Sequence, residues 1–137
     1  MKLFSVVLLA VLAAAAAVSA ATVDGNMVFV YRDDHKKTVQ ARRGQVVRVR
    51  VDPTLAADRR TCFLAYSPPV ASNPKVLRTT SSSGPGFGAV SLATFDVIAD
   101  KGRSFITAKG TLVARMEANG CNGLKPPLAF NVTISVV

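Results

Sequence analysis

From Met27 to the C-terminus the sequence reads as an all-β domain, a Greek-key sandwich of roughly seven to nine strands. Three features predict it. Apolar and polar residues alternate with a period of two over short runs. Clusters of Gly, Pro, Asn and Ser separate those runs at the spacing of sandwich turns. No segment keeps a helical period beyond two turns.

The first run, Met27-Val28-Phe29-Val30-Tyr31, is rich in strand formers and ends in the polar connector 32–37. Thr38-Val39-Gln40-Ala41 is a second extended piece, followed by a turn at Arg43-Gly44. The clearest strand covers 45–51. Val47, Val49 and Val51 point to one side and Arg48 and Arg50 to the other, so one face is core and the other is wet and basic. Asp52-Pro53 ends it, and 54–58 has the composition of a single helical turn. Strands are expected over 62–66, stopped by Ser67-Pro68-Pro69, and over 75–79. Residues 81–88 read as a flexible loop, because Gly and Ser resist order and Pro cannot join a ladder. The aromatic in that loop, Phe87, is either a plug on the core or a contact residue. Residues 90–97 carry apolar side chains on both faces near their end, as a central strand does. Asp100-Lys101-Gly102 turns the chain into a returning strand over 103–108, and Lys109-Gly110 is a second turn or a bulge in one long strand. The closing strand is the best patterned, with Leu128, Phe130, Val132, Ile134 and Val136 inward and Ala129, Asn131, Thr133 and Ser135 outward.

Ahead of this domain, residues 1–20 form a secretory signal peptide: one positive charge at Lys2, an apolar stretch of Ala, Val and Leu, and small residues at Val18-Ser19-Ala20 before the cut. The mature chain, 21–137, is then a single domain delivered to the extracellular space or a vesicle lumen. In that oxidising compartment Cys62 and Cys121, the two cysteines of the chain, are expected to pair. Closing so long a loop is worth on the order of 4 kcal/mol in the chain-entropy description. Asn131-Val132-Thr133 is a sequon, making Asn131 a possible glycosylation site on the outward face of the last strand.

Lys and Arg number 17 against 8 Asp and Glu, a formal net charge of +9 at pH 7 that falls by one when Lys2 is removed. Arg42, Arg43, Arg48, Arg50, Arg59 and Arg60 crowd into one short region. Such a field speeds encounter with an anionic partner, whether acidic glycan, membrane surface or protein. Single-stranded nucleic acid is not expected, since the basic strand interleaves valines where stacking aromatics would be needed. Nor does the sequence read as an enzyme. His35 is the only histidine and the carboxylates are scattered over separate connections, so neither a nucleophilic relay nor an acid–base pair suggests itself. With so few ligands no metal site is expected, the glycine-rich segment lacks the Lys-Ser/Thr of a phosphate loop, and no cofactor is called for. Binding, by a monomer, is what remains.

The layout resembles the chagasin family, inhibitors of papain-like cysteine peptidases built on an immunoglobulin-like sandwich. The order basic-apolar strand, proline loop, strand, glycine loop, Phe-x-Val strand (Phe95-Asp96-Val97) and closing strand (Phe130 to Ile134) follows it. In that family three loops at one end wedge into the peptidase groove. The resemblance implies that the first is Pro53, Thr54 and Leu55, which keep the Pro-Thr of a family Asn-Pro-Thr-Thr-Gly. It implies that the second is Gly84, Pro85, Gly86, Phe87 and Gly88, near a family Gly-x-Gly-Gly. The third, an Arg-Pro plus aromatic in the family, corresponds to the region of Asn119, Gly120, Asn122 and Gly123 and lacks the tryptophan. The expected function is peptidase inhibition by loop insertion, with a papain-like peptidase as partner. The alternative is a basic sandwich module that binds an anionic partner without inhibiting. A bond between Cys62 and Cys121 would draw the first and third loops to one end.

Overall fold

The computed structural model describes residues 18–19, 22–55, 62–114 and 129–137. Among them are β1 (Val18–Ser19), β2 (Thr22–Asp24), β3 (Met27–Tyr31), β4 (Thr38–Ala41), β5 (Val46–Val51) and β6 (Thr54–Leu55). They are followed by β7 (Cys62–Tyr66), β8 (Val70–Ala71), β9 (Leu77–Ser83), β10 (Ser91–Val97), β11 (Gly102–Ala114) and β12 (Ala129–Val136). Four of the twelve are pieces of two or three residues, which leaves eight full strands within the expected number. Most of the expected leader lies outside the described residues. Val18–Ser19 pairs in parallel with Thr38 and Val39, and the expected cut after Ala20 would detach that piece.

The strands form two sheets. One has the order β2-β3-β5-β10-β9; the other runs β1-β4-β12-β11-β7-β6, with β8 also on β11. Period-two patterning fills the space between them. Val28 and Val30 of β3, Val47, Val49 and Val51 of β5, and Ala93, Phe95 and Val97 of β10 meet Ile106 and Ala108 of β11 and Phe130, Val132, Ile134 and Val136 of β12 in one buried cluster. The buried hydroxyls are satisfied: Ser104 Oγ accepts from Asn73 N at 3.1 Å, and Ser91 Oγ donates to the Tyr66 carbonyl.

Three local expectations are corrected. Ser81, Ser82 and Ser83 belong to β9, where pairing with β10 supplies the order that their own propensities do not. Asp100-Lys101-Gly102 does not return the chain along β10 but carries it to the other sheet, because β11 pairs with β12 and β7. Thr54 opens a short strand, not a helical turn, pairing with Leu64; 56–60 lie outside the described residues. Lys109-Gly110 proves to be the middle of one long strand. There Pro68 and Pro69, which offer no N–H, interrupt the neighbouring ladder between β7 and β8. Ser67 bridges the gap, its N donating to the Lys109 carbonyl and its Oγ accepting from Lys109 N, both at 2.9 Å.

The chain passes from one sheet to the other between β3 and β4. A 3-10 turn, Arg32–Asp34, makes the crossing, and Asp34 Oδ2 accepts from Tyr31 N at 3.0 Å. His35 is not the solvated turn residue its polar surroundings suggest. Its Nδ1 accepts from Asn131 N at 3.0 Å and its ring lies 5.9 Å from that of Phe130, so it docks the connector on β12.

Candidate functional site

Register decides which loops share an end. Val51, the last residue of β5, is paired with Ser91, the first of β10. The chain leaving β5 into Asp52-Pro53-Thr54 is therefore beside the chain entering β10 from Gly84–Val90. Ala114 at the end of β11 pairs with Cys62 at the start of β7, and Ala129 at the start of β12 pairs with Lys109. Both strand ends that flank 115–128 thus point the same way. The first and second candidate loops, and the supports of the third, occupy one end of the sandwich.

The first loop is held from beneath. Arg32 Nη1 donates to the Pro53 carbonyl at 2.6 Å and to Thr54 Oγ1 at 3.4 Å. Thr54 Oγ1 also lies 2.9 Å from the Tyr66 hydroxyl. Tyr66 accepts from Ser91 Oγ through its carbonyl, so one residue of β7 links the first loop to the base of the second. Beside this network opens a cleft of about 390 Å³ lined by Arg32, His35, Thr54, Tyr66, Ala129 and Phe130. Tyr66→Phe, which removes only the hydroxyl from a buried ring, is expected to cost about 1 kcal/mol in urea unfolding. A Thr54→Val change on top of it should then cost less than it does alone, since the Thr54–Tyr66 bond is already gone and only the long 3.4 Å bond from Arg32 remains to be lost.

In the second loop the three glycines have different duties. Gly84 has φ +118°, and a Cβ there would stand 2.6 Å from Ser91 Cα and 2.8 Å from the Val90 carbonyl oxygen. Gly88 has φ +72°, and a Cβ there would meet only the Val90 Cγ2 at 4.0 Å. Gly86 needs neither: its backbone is ordinary and the nearest atom to an added Cβ is the Val90 oxygen at 3.8 Å. Gly86 N donates to that same oxygen at 2.9 Å, and Ala89 N donates to Gly86 O at 2.9 Å, closing a compact turn. Gly84, Pro85, Gly86 and Gly88 are exposed; Phe87 opens the 3-10 turn Phe87–Ala89, and its side chain lies outside what is described. Asn119, Gly120, Asn122, Gly123 and Cys121 lie outside the described residues, and with Cys121 the expected disulfide.

The arginines do not form one patch. Arg42 and Arg43 sit in the β4–β5 turn, at the end away from the loops, with Arg43 Nη1 3.0 Å from Asp100 Oδ1. Arg48 and Arg50 stand on the outer face of the five-stranded sheet, Arg50 Nε 3.0 Å from Asp52 Oδ1. Arg59 and Arg60 lie outside the described residues. Asn131 is exposed on the outer face of the other sheet. Among the described residues no three His, Cys, Asp or Glu side chains gather as a metal site would need. Sequence reasoning missed Arg32 and Tyr66 as the supports of the first loop. Neither carried a signal, since one lies in a polar connector and the other ends a strand.

The architecture matches the crystal structure of the cysteine protease inhibitor EhICP2 from Entamoeba histolytica, with TM-score 0.50 over 81% of this chain and 95% of that one, at 9% identity. The chain has the fold of a chagasin-type inhibitor. The solution structure of amebosin aligns over 81% of this chain and 97% of its own at 14% identity, with TM-score 0.43. The sequence itself matches no family profile and no curated protein at a significant level. At these identities the likeness is one of fold.

Proposed function

We propose that the protein is a secreted inhibitor of papain-like cysteine peptidases that inserts its loop end into the active-site groove. The observation that carries this reading is the clustering at one end of the sandwich of a Pro-Thr loop, a glycine loop and the strand ends flanking 115–128, in a fold shared with a cysteine protease inhibitor. Inhibition of this kind needs no reacting group. It needs a rigid wedge whose backbone comes close to the enzyme, and small loop residues held by a part-buried network meet that need. Arg32, Tyr66 and Ser91 fix the first two loops before binding, which lowers the ordering cost. A Cys62–Cys121 bond would do the same for the third, since Cys62 starts β7 at this end. The leader pattern of residues 1–20 supports secretion.

Purified 21–137 is expected to slow papain or a cathepsin at sub-micromolar concentration, with competitive kinetics. Gly86→Glu adds bulk and charge where the fold leaves room. It should weaken inhibition by roughly a hundredfold, the scale of a lost central contact, without moving the unfolding midpoint. Absence of inhibition across papain-like enzymes, or inhibition indifferent to Gly86→Glu, would dismiss loop insertion.

A further inference from the structure

Pairing across the five-stranded sheet assembles a surface that the linear sequence hides. The parallel β3–β5 register sets Phe29 beside Arg48 and Tyr31 beside Arg50. On the other flank, antiparallel β10 sets Thr94 beside Arg48 and Leu92 beside Arg50. The Phe29 and Tyr31 rings are stacked, parallel to within 10° with centroids 6.4 Å apart, and Tyr31 is 42% exposed. The stacked pair and the two arginines border a shallow cleft of about 370 Å³ closed by Val90 and Leu92. Arg48 is exposed and has no ion pair among the described residues. Arg50 holds Asp52 through Nε, and the guanidinium has four further N–H groups to offer. Beyond Leu92 and Thr94 the face continues onto β9, where Ser83 and Ser81 are their partners and are exposed.

We infer that this sheet face is a second binding site, for an acidic oligosaccharide bearing sulfate or carboxylate groups. The apolar side of a pyranose ring presents C–H groups, weakly positive, that complement the negative face of an aromatic ring. Sulfate and carboxylate match the planar fork of arginine. Serine and threonine hydroxyls both donate and accept, as a polyhydroxylated ligand requires. All three groups follow one another across four adjacent strands, and the charge of Arg48, unpaired among the described residues, is one that such a ligand would meet. A membrane surface would call for protruding apolar side chains, whereas these rings lie flat against each other. The site lies on the sheet face, reaching the loop end at Val90, and the proposal does not rest on peptidase inhibition.

The test is titration of purified 21–137 with a heparin-derived hexasaccharide, with oligothymidylate and phosphatidylserine vesicles as competing ligands. The hexasaccharide is expected to bind with an affinity that falls with salt. Arg48→Gln/Arg50→Gln should abolish binding. Phe29→Thr/Tyr31→Thr keeps the charge and the strand propensity and should weaken it roughly tenfold, the worth of two aromatic contacts; Tyr31→Thr alone serves if the double variant unfolds. Arg103→Gln/Lys109→Gln removes equal charge from the outer face of the opposite sheet and should change affinity less than about twofold, as for a remote screened charge. The inference is overturned by unchanged affinity in the aromatic variants, by equal losses in the two charge variants, or by tighter binding of the oligothymidylate or the vesicles.

Discussion

Gly84→Ala is expected to destabilise the domain by about 2–4 kcal/mol, summing backbone strain at a positive φ with overpacking. The cause is specific. The new methyl would meet the Ser91 Cα and the Val90 carbonyl, atoms of the backbone that cannot swing aside, at the point where β10 joins β5. Relief requires the start of β10 to move, and Ser91 then gives up its bond to Tyr66. Urea unfolding followed by circular dichroism measures the loss, with Gly86→Ala as the matched control, expected within about 0.5 kcal/mol of the parent. A Gly84→Ala protein as stable as Gly86→Ala would mean that the loop yields freely, a poor property for a wedge. If the loop does insert, inhibition should fall with stability in Gly84→Ala, whereas Gly86→Glu should separate the two.

Phe95→Ala should cost more still, about 3–5 kcal/mol, because it removes a ring from the middle of the core and leaves a space the sheets cannot close. Phe95 is fully buried on β10 between Val47 of β5 and Thr79 of β9, so its neighbours are held on both sides by ladders. Phe105, on the outer face of β11, is 54% exposed, and its replacement by Ala should lie within about 0.5 kcal/mol of the parent. Equal losses at the two positions would contradict the assignment of inner and outer faces.

Those faces were legible in the sequence wherever alternation was strong. Val47, Val49 and Val51 against Arg48 and Arg50, and the inward set from Phe130 to Val136, follow from a period of two and need no partner strand to be recognised. Pairing was not legible, and it accounts for each departure. Ser81 to Ser83 form a strand because β10 is beside them. The turn at 100–102 changes sheet because β11 finds β12. Arg48 and Arg50 looked isolated among valines, yet the aromatics absent from their own strand come from β3. The candidate loops were locatable as Pro- and Gly-rich breaks, but their placement at one end follows from long-range register, and Arg32 and Tyr66 acquire their role only there.

The parallel pairing of β4 with β12 has a mechanical side. Thr38 to Ala41 are matched with Thr133 to Val136, and the two strands run in the same direction. A pull on the chain ahead of β4 and an opposite pull beyond β12 therefore act along the strands in opposing senses. The hydrogen bonds between them are loaded together in shear and cannot be unzipped one at a time. A load applied between the connector that leads into β4 and the far end of β12 would meet its resistance at this seam.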